Sequence, residues 1–153
     1  MSATPRAFYP VLRLHQLVSA CLEEALGPAE LTGGQYTMLS LVRRLGPTTS
    51  AQLARWLRVS AQSAGEMLKA LEARGLVQRG TSDTNRRIVL LSLTPAGRRL
   101  AQRADGLVAD AEERFFSVLR PRERSGFDQT IQRLRHAAQP HDPAQDPAQD
   151  QPV

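Results

Sequence analysis

Apolar residues recur every three or four positions along most of this chain, which is the spacing of one buried helix face. The pattern predicts a first helix over residues 6–26, a second helix after Thr32, a long helix over about 95–119, and a shorter one around 122–138. The first helix is apolar on more than one side, so we expect it to have two burial partners.

The helical pattern changes between residues 76 and 97. Two apolar runs, Leu76-Val77 and residues 88–93, flank a polar loop that contains Arg86-Arg87. These runs predict a two-stranded ribbon with a basic tip. The ribbon ends at Thr94-Pro95, a pair that suits the N-cap and the first position of the following helix.

Two short helices are predicted immediately before the ribbon. Thr49-x-x-Gln52 and Ser60 are N-cap signals, and they begin helices over residues 49–58 and 60–74 that are joined by one tight turn. A helix–turn–helix followed by a basic β-wing holds one helix in a DNA groove while the wing reaches the neighbouring backbone. The predicted fold is therefore mainly α with a small β-wing, a winged helix–turn–helix extended by N- and C-terminal helices.

We expect one domain over residues 1–138, with a DNA-reading lobe over about 31–97. A single winged helix does not need the helices over about 6–26 and 95–138, so we expect these helices to pair two subunits. A twofold dimer places two recognition helices about one DNA turn, ~34 Å, apart. Residues 139–153 repeat the letters DPAQ and have almost no apolar side chains, so this tail is predicted to be disordered.

Positive charge is concentrated on the predicted helix–turn–helix, the wing and the start of the helix that follows. The whole chain has a net charge of +5, whereas residues 37–104 carry twelve Lys or Arg against three acidic residues, a net +9. This excess suits a polyanionic partner such as duplex DNA. The single cysteine leaves no internal disulfide framework, and no apolar run approaches membrane length, so we expect a cytoplasmic protein without a membrane contact.

Several motifs within residues 31–97 together resemble the MarR family of bacterial transcription regulators. They are Leu31-Thr32-x-x-Gln35, Gln52-Leu53-Ala54, Leu57-x-Val59-Ser60, Leu71-Glu72-x-x-Gly75-Leu76-Val77-x-Arg79, and Arg86-Arg87 followed by Leu93-Thr94-x-x-Gly97. The resemblance implies a homodimer that binds a pseudo-palindromic operator, usually as a repressor released by a small ligand or an oxidant. Two positions depart from the family pattern: Asn85 replaces a common wing Asp, and Glu66 stands where the recognition helix often has Arg.

The candidate DNA contacts lie on the outer face of the second short helix and at the wing tip. The helix offers amide, hydroxyl and ammonium groups to base edges or phosphates, and a wing arginine suits a narrow A·T minor groove. The candidate DNA-binding residues are Gln62, Ser63, Gly65, Glu66, Lys69, Arg86 and Arg87. Further phosphate contacts are predicted at Thr49, Ser60, Arg58, Arg74 and Arg79, although exposed surface charge explains the arginines equally well.

A cleft for a small-molecule effector is predicted at His15, Tyr36 and Trp56, between the DNA-reading lobe and the outer helices. Ordinary packing is the simpler explanation for His15 and Trp56. Cys21 is a candidate redox thiol, but it lies late on the first helix without an adjacent Lys or Arg to activate it, which favours a packed core cysteine.

Two alternatives to a ligand-released repressor remain open. One is a redox-sensing regulator that acts through Cys21. The other is a protein–protein adaptor whose DNA binding is weakened, for which Glu66 and Asn85 are the signs. The sequence contains no catalytic constellation, metal motif or phosphate-binding glycine loop, so we expect no enzymatic activity, no metal and no cofactor.

Overall fold

The structure is a computed structural model that describes residues 7–82 and 84–138. Its elements, in chain order, are α1 (Phe8–Leu26), α2 (Gly33–Leu45), α3 (Ser50–Leu57), α4 (Ala61–Ala73), β1 (Val77–Thr81), β2 (Val89–Leu93), α5 (Pro95–Phe115) and α6 (Pro121–Ala138). The prediction of a mainly α fold with a small β-wing is confirmed. The tail that was predicted to be disordered, 139–153, lies outside the described residues.

Side-chain caps determine where α2, α3 and α4 begin. Thr32 and Gln35 form a reciprocal capping box at the start of α2, and Thr49 and Gln52 form another at the start of α3. Ser60 Oγ accepts the backbone N–H three residues further on at 3.1 Å and begins α4. A cap of this kind is worth ~1 kcal/mol. The helix starts predicted from these residues are therefore confirmed.

The described residues fall into two compact units, one up to Ala111 and one from Glu112 onward. In the first unit, α2, α3, α4 and the base of the wing bury a continuous apolar cluster, to which the end of α1 and the first half of α5 contribute. Leu53, Leu68 and Leu91 are fully buried in it. Each such side chain contributes ~1.5–3 kcal/mol of transfer free energy relative to an exposed one.

The wing is an antiparallel hairpin in which Val77 lies opposite Leu93 and Thr81 lies opposite Val89. The first strand is longer than the two-residue apolar run that predicted it. Residues 78–81 are polar or small and exposed, yet their backbone pairs with β2. The prediction was too short because a hairpin arm that faces water needs no apolar side chains.

Thr48 widens the base of the wing. This residue precedes α3, and its N–H donates to the Leu91 carbonyl at 3.1 Å while its own carbonyl accepts the Leu91 N–H at 2.7 Å. The two bonds form an isolated antiparallel bridge, and Thr48 is itself buried. The base of the wing is therefore three chain segments wide.

In the second unit, the long helix predicted to about residue 119 ends as an α-helix at Phe115 and continues as a 3-10 turn, Phe116–Val118. The ring of Phe116 lies between those of Phe115 and Phe127, with centroid distances of 5.1 and 5.6 Å. No residue of α6 is buried in the single chain.

The first helix leaves much of its apolar surface uncovered. Phe8, Leu12 and Leu17 are 82%, 60% and 55% exposed, and only Leu26 at the end of α1 is buried. Large exposed apolar patches often mark sites of association, so α1 is a candidate subunit contact. None of the helices in the described ranges has the length and hydropathy needed to span a bilayer.

Candidate nucleic-acid interface

The turn between α3 and α4 is held by backbone bonds and by the packing of the two helices. Arg58 closes α3 in the left-handed conformation, with φ of 53°, and its N–H bonds to the carbonyls of Ala54 and Arg55. On the inner side of α4, Ala64 and Leu68 are buried, as predicted. The two helices therefore form a fixed unit in which the opposite face of α4 points to solvent.

This outer face of α4 carries the residues predicted to read DNA bases. Gln62, Ser63, Glu66 and Lys69 are exposed, and Gly65 is half-exposed. Gln62 Nε2 donates to Glu66 Oε1 at 3.1 Å, so the carboxylate that departs from the family pattern lies beside an amide on the same face. The pair offers both donor and acceptor groups, the chemistry that base edges in a major groove require.

Gly65 has no packing partner that explains its lack of a side chain. A Cβ placed there meets nothing within 4 Å in the described chain, although a mid-helix glycine costs ~1 kcal/mol relative to alanine. We predict that Gly65→Ala raises the free energy of unfolding by about 0.5–1 kcal/mol. The same change should lower DNA affinity several-fold, because the added methyl occupies the space between the α4 backbone and the groove. Thermal unfolding and gel shift on one preparation measure both effects.

The control for this variant is Gly106→Ala, which changes an exposed α5 glycine that is equally free of neighbours. It should gain the same stability and keep its DNA affinity. If Gly65→Ala also keeps full affinity, the backbone of α4 does not approach DNA closely at this point.

At the wing tip, Arg86 and Arg87 are both exposed. Asn85 folds the tip: its Oδ1 accepts the backbone N–H of Arg87 at 3.0 Å, and its carbonyl accepts the N–H of Ile88 at 2.9 Å. Aspartate and asparagine side chains both accept a hydrogen bond in such a turn. The departure at Asn85 therefore preserves the turn and removes only a negative charge from beside the two arginines.

The wing is connected to α4 by a two-point ion pair. Arg79 Nε and Nη2 donate to the two carboxylate oxygens of Glu72, at 2.5 and 3.2 Å. The hydrogen bond to Glu72 raises the pKa of Arg79 above its usual value. A bidentate contact fixes direction as well as distance. Arg79, a predicted phosphate contact, thus already has a partner within the chain.

The other predicted phosphate contacts are in varied surroundings. Thr49 and Ser60 cap α3 and α4 with their hydroxyls, at helix N-termini that also suit phosphates. Arg58 is exposed at the turn between these helices. Arg74, in contrast, donates to the carbonyls of Ala29 and Glu30 at 3.2 and 2.6 Å. No pattern in the sequence indicated this contact, because every residue has a carbonyl.

Tyr36, a predicted cleft residue, belongs to a polar cluster between α2 and α5. Its hydroxyl donates to Asp105 Oδ1 at 3.0 Å, and Arg43 Nη1 donates to Asp105 Oδ2 at 2.7 Å. Burial raises the pKa of Tyr36, and the hydrogen bond to Asp105 raises it further. Sequence reasoning missed Arg43 and Asp105 as members of this cluster, since 62 positions separate them.

The remaining candidate residues have other surroundings. Trp56 is half-buried against the core, and the guanidinium carbon of Arg44 lies 5.4 Å from its ring centroid. His15 is exposed on α1, and Cys21 is half-buried on the same helix. No hydrogen bond or ring contact joins His15, Tyr36 and Trp56 among residues 7–82 and 84–138, so the predicted cleft stays a prediction.

Comparison with known proteins identifies the lobe that carries these features. A family model described as MarR family matches residues 31–89. The HTH-type transcriptional repressor Rv2887 of Mycobacterium tuberculosis is 29% identical over 126 residues, which are 82% of this chain and 91% of the relative. The transcriptional repressor CouR, solved bound to a 23-mer DNA duplex, is 30% identical with a TM-score of 0.77, over 86% of this chain and 91% of its own. The chain belongs to the MarR family.

A further MarR-family structure is that of the Mycobacterium tuberculosis protein Rv2887 in complex with salicylic acid. It is 28% identical to this chain, with a TM-score of 0.73, and the match covers 88% of this chain and 99% of the relative. The matched region of these relatives extends well beyond residues 31–89. The outer helices of this MarR-family chain are therefore part of the shared architecture and not additions to it.

Proposed function

We propose that this MarR-family chain is a sequence-specific DNA-binding repressor that works as a homodimer and is released by a small ligand. The observation that carries the proposal is the pairing of the exposed polar face of α4 with the Arg86-Arg87 wing tip on one packed lobe. A relative of the same fold, CouR, was solved bound to a DNA duplex. In this arrangement α4 enters the major groove and the wing contacts the flanking backbone or minor groove.

The dimer assignment rests on α1. Its large apolar side chains are exposed in the single chain, and a second copy of the same surface would bury them symmetrically. In a dimer the helices over about 6–26 and 95–138 form the subunit contact, and the two copies of α4 face successive turns of a pseudo-palindromic operator. Because its target is the bacterial chromosome, the protein works in the cytoplasm.

The effector is a small ligand, and an aromatic carboxylate is the first probe to use, since the relative from Mycobacterium tuberculosis binds salicylic acid. His15, Tyr36 and Trp56 remain the proposed cleft residues. The Tyr36 cluster places a hydroxyl and the Arg43 guanidinium next to each other between α2 and α5. Ligand release requires that the ligand bind better to a form of the dimer that fits the operator poorly.

The proposal is tested by selecting bound duplexes from a random library and measuring their affinity for the purified protein across salt concentrations. We predict a steep fall of log affinity with log salt, with a slope of about −0.9 per phosphate contact. Arg87→Ala should reduce this slope by about one contact or lose preference for A·T-rich flanks. Gln62→Ala should instead relax base preference within the half-site, by ~1–3 kcal/mol if its amide contact is bidentate.

Arg99→Ala is the control, because it removes the same charge from an exposed position at the start of α5 that is not one of the proposed DNA contacts. It should keep both the base preference and the flank preference of the unchanged protein. If no duplex is enriched and the salt slope is near zero, the repressor assignment is wrong and the adaptor alternative takes its place.

A further inference from the structure

The turn that follows α1 presents three successive carbonyl oxygens to two arginines from different helices. Arg74, at the end of α4, donates to the carbonyls of Ala29 and Glu30 at 3.2 and 2.6 Å. Arg103, on α5, donates to the carbonyl of Pro28 at 3.2 Å. We call residues 28–30 with these two arginines the carbonyl clamp.

The acceptors of the carbonyl clamp are held in place by the local backbone. Gly27–Ala29 is a 3-10 turn, and Glu30 ends it in the left-handed conformation with φ of 54°. Its N–H bonds to the Gly27 carbonyl at 2.9 Å, while the side chains of Ala29 and Leu31 are buried. Carbonyls at the end of a helix carry partial negative charge, so guanidinium groups bind there favourably.

The carbonyl clamp holds one end of α4, and the residues proposed to read DNA lie toward the other end, where α4 packs on α3. Next to Arg74, Thr94 Oγ donates to the Gly75 carbonyl at 2.7 Å and secures the same end to the start of α5. The outward-facing residues Gln62 and Ser63 lie at the opposite end of this 13-residue helix. At 1.5 Å per residue the helix is about 20 Å long, so a tilt of the packed α3–α4 unit by about 5° about this end moves the reading end by roughly 2 Å.

We propose that Arg74 and Arg103 are positioning residues that set which half-site spacing the dimer accepts, without touching DNA. The inference rests on the proposed function. The carbonyl clamp joins the end of the recognition helix to the end of α1 and to α5, the helices assigned to the subunit contact. In a twofold dimer both copies of α4 tilt, so the change in distance between the two reading ends is doubled. Loosening the clamp therefore widens the range of half-site spacings that the dimer accepts.

The proposed role of Arg74 in the carbonyl clamp differs from the predicted phosphate contact, and Arg74→Lys separates the two roles. Lysine keeps the charge and binds a phosphate as a point charge, but it cannot span two carbonyls as a planar guanidinium does. A phosphate contact would therefore survive this substitution, whereas the clamp would not. Because lysine keeps the positive charge and a long side chain at this position, we expect Arg74→Lys to fold normally.

The experiment measures the affinity of the full chain for the selected operator and for duplexes with one base pair added to or removed from its centre. Five proteins are compared across salt concentrations: the unchanged chain, Arg74→Lys, Arg74→Met, Arg103→Met, and Arg99→Met as the charge-matched control on α5. Thermal unfolding and light scattering confirm that each protein is a folded dimer before its binding is measured.

We expect the unchanged chain and Arg99→Met to prefer the native spacing by about tenfold or more. In Arg74→Lys and Arg103→Met this preference should fall at least threefold, with the salt slope unchanged in Arg74→Lys. If Arg74→Lys and Arg103→Met both keep the preference of the unchanged chain for the native half-site spacing, the inference is overturned, and the repressor assignment is unaffected. A salt slope that falls by about one contact in Arg74→Met, with spacing preference kept in Arg74→Lys, also overturns it, because Arg74 is then a phosphate contact. If the unchanged chain binds no duplex specifically, both proposals fail.

Discussion

Replacing Gly97 with alanine is expected to lower the free energy of unfolding by about 3 kcal/mol or more. A Cβ at this position would overlap the Leu76 carbonyl oxygen and lie 2.9 Å from its carbonyl carbon. Both are backbone atoms, so no side chain can rotate away. The helix α5 would have to move off the start of the wing, which would break the contacts that hold it there.

Those contacts are short. Thr94 Oγ accepts the Gly97 N–H at 3.0 Å and donates to the Gly75 carbonyl at 2.7 Å. For a domain of this size, a loss of 3 kcal/mol corresponds to a fall of roughly 6–12 °C in Tm. Differential scanning calorimetry measures the effect. Gly106→Ala on the same helix is the matched control and should raise Tm slightly, since its Cβ meets nothing within 4 Å. Equal Tm values for the two variants would contradict the close approach at Gly97.

Val18→Glu is expected to abolish the dimer and to weaken operator binding by about 100-fold or more. Val18 is 39% exposed and Val11 is 58% exposed, and their spacing of seven residues puts them on one face of α1. In the proposed dimer a glutamate on this face would bury an unpaired charge inside an apolar contact, which strongly destabilises the dimer. The monomer that results holds only one half-site at a time, so it loses the gain from binding two linked sites. Light scattering measures the loss of the dimer, and gel shift measures the loss of operator affinity.

Gln16→Glu is the control for this variant. It adds the same charge to an exposed position on the other side of the same helix, where Gln16 already accepts a hydrogen bond from Arg13 at 3.0 Å. The control should remain a dimer with full affinity. A Val18→Glu protein that is still dimeric and binds the operator normally would show that α1 does not form the subunit contact.

Local sequence signals predicted the fold because each acts over a few residues. The capping boxes at Thr32 and Thr49 and the cap at Ser60 placed three helix starts, and the apolar spacing placed their inner faces. The turn at Asn85 is equally local, although only the structure revealed it. Such signals can be read from one sequence because donor and acceptor lie within four positions of each other.

Contacts between distant segments were not predictable in this way. Arg74 reaches carbonyls 44 and 45 positions earlier, and Asp105 joins Tyr36 across 69 positions. A carbonyl acceptor is present at every residue, and the residues around Asp105 do not indicate its distant partners, so neither contact could be predicted from the sequence. The close approach of Gly97 to the Leu76 carbonyl could not be predicted either, because the glycine's partner is a backbone atom.

Apolar periodicity also does not say what covers a helix face. The sequence assigned the α5 stripe from residue 100 to 118 to a contact between subunits. In the structure Leu107 packs partly against the core of its own chain, Ala104 is buried there, and Val118 is 83% exposed. Much of α5 therefore serves the core of its own chain, and α1 carries most of the uncovered apolar surface in the described residues, which is why the proposed subunit contact rests chiefly on α1.

The bridge between Thr48 and Leu91 has a consequence for how this protein can change over evolutionary time. An isolated two-stranded hairpin is marginally stable in water, but here the base of the wing is secured by a third segment whose partner is fully buried. The tip from residue 84 to residue 88 lies outside that secured base and is exposed. Apart from Asn85, which folds the tip, the tip residues can therefore change with little loss of stability. The proposed wing contacts can then shift to new flanking sequences while the helix–turn–helix stays as it is.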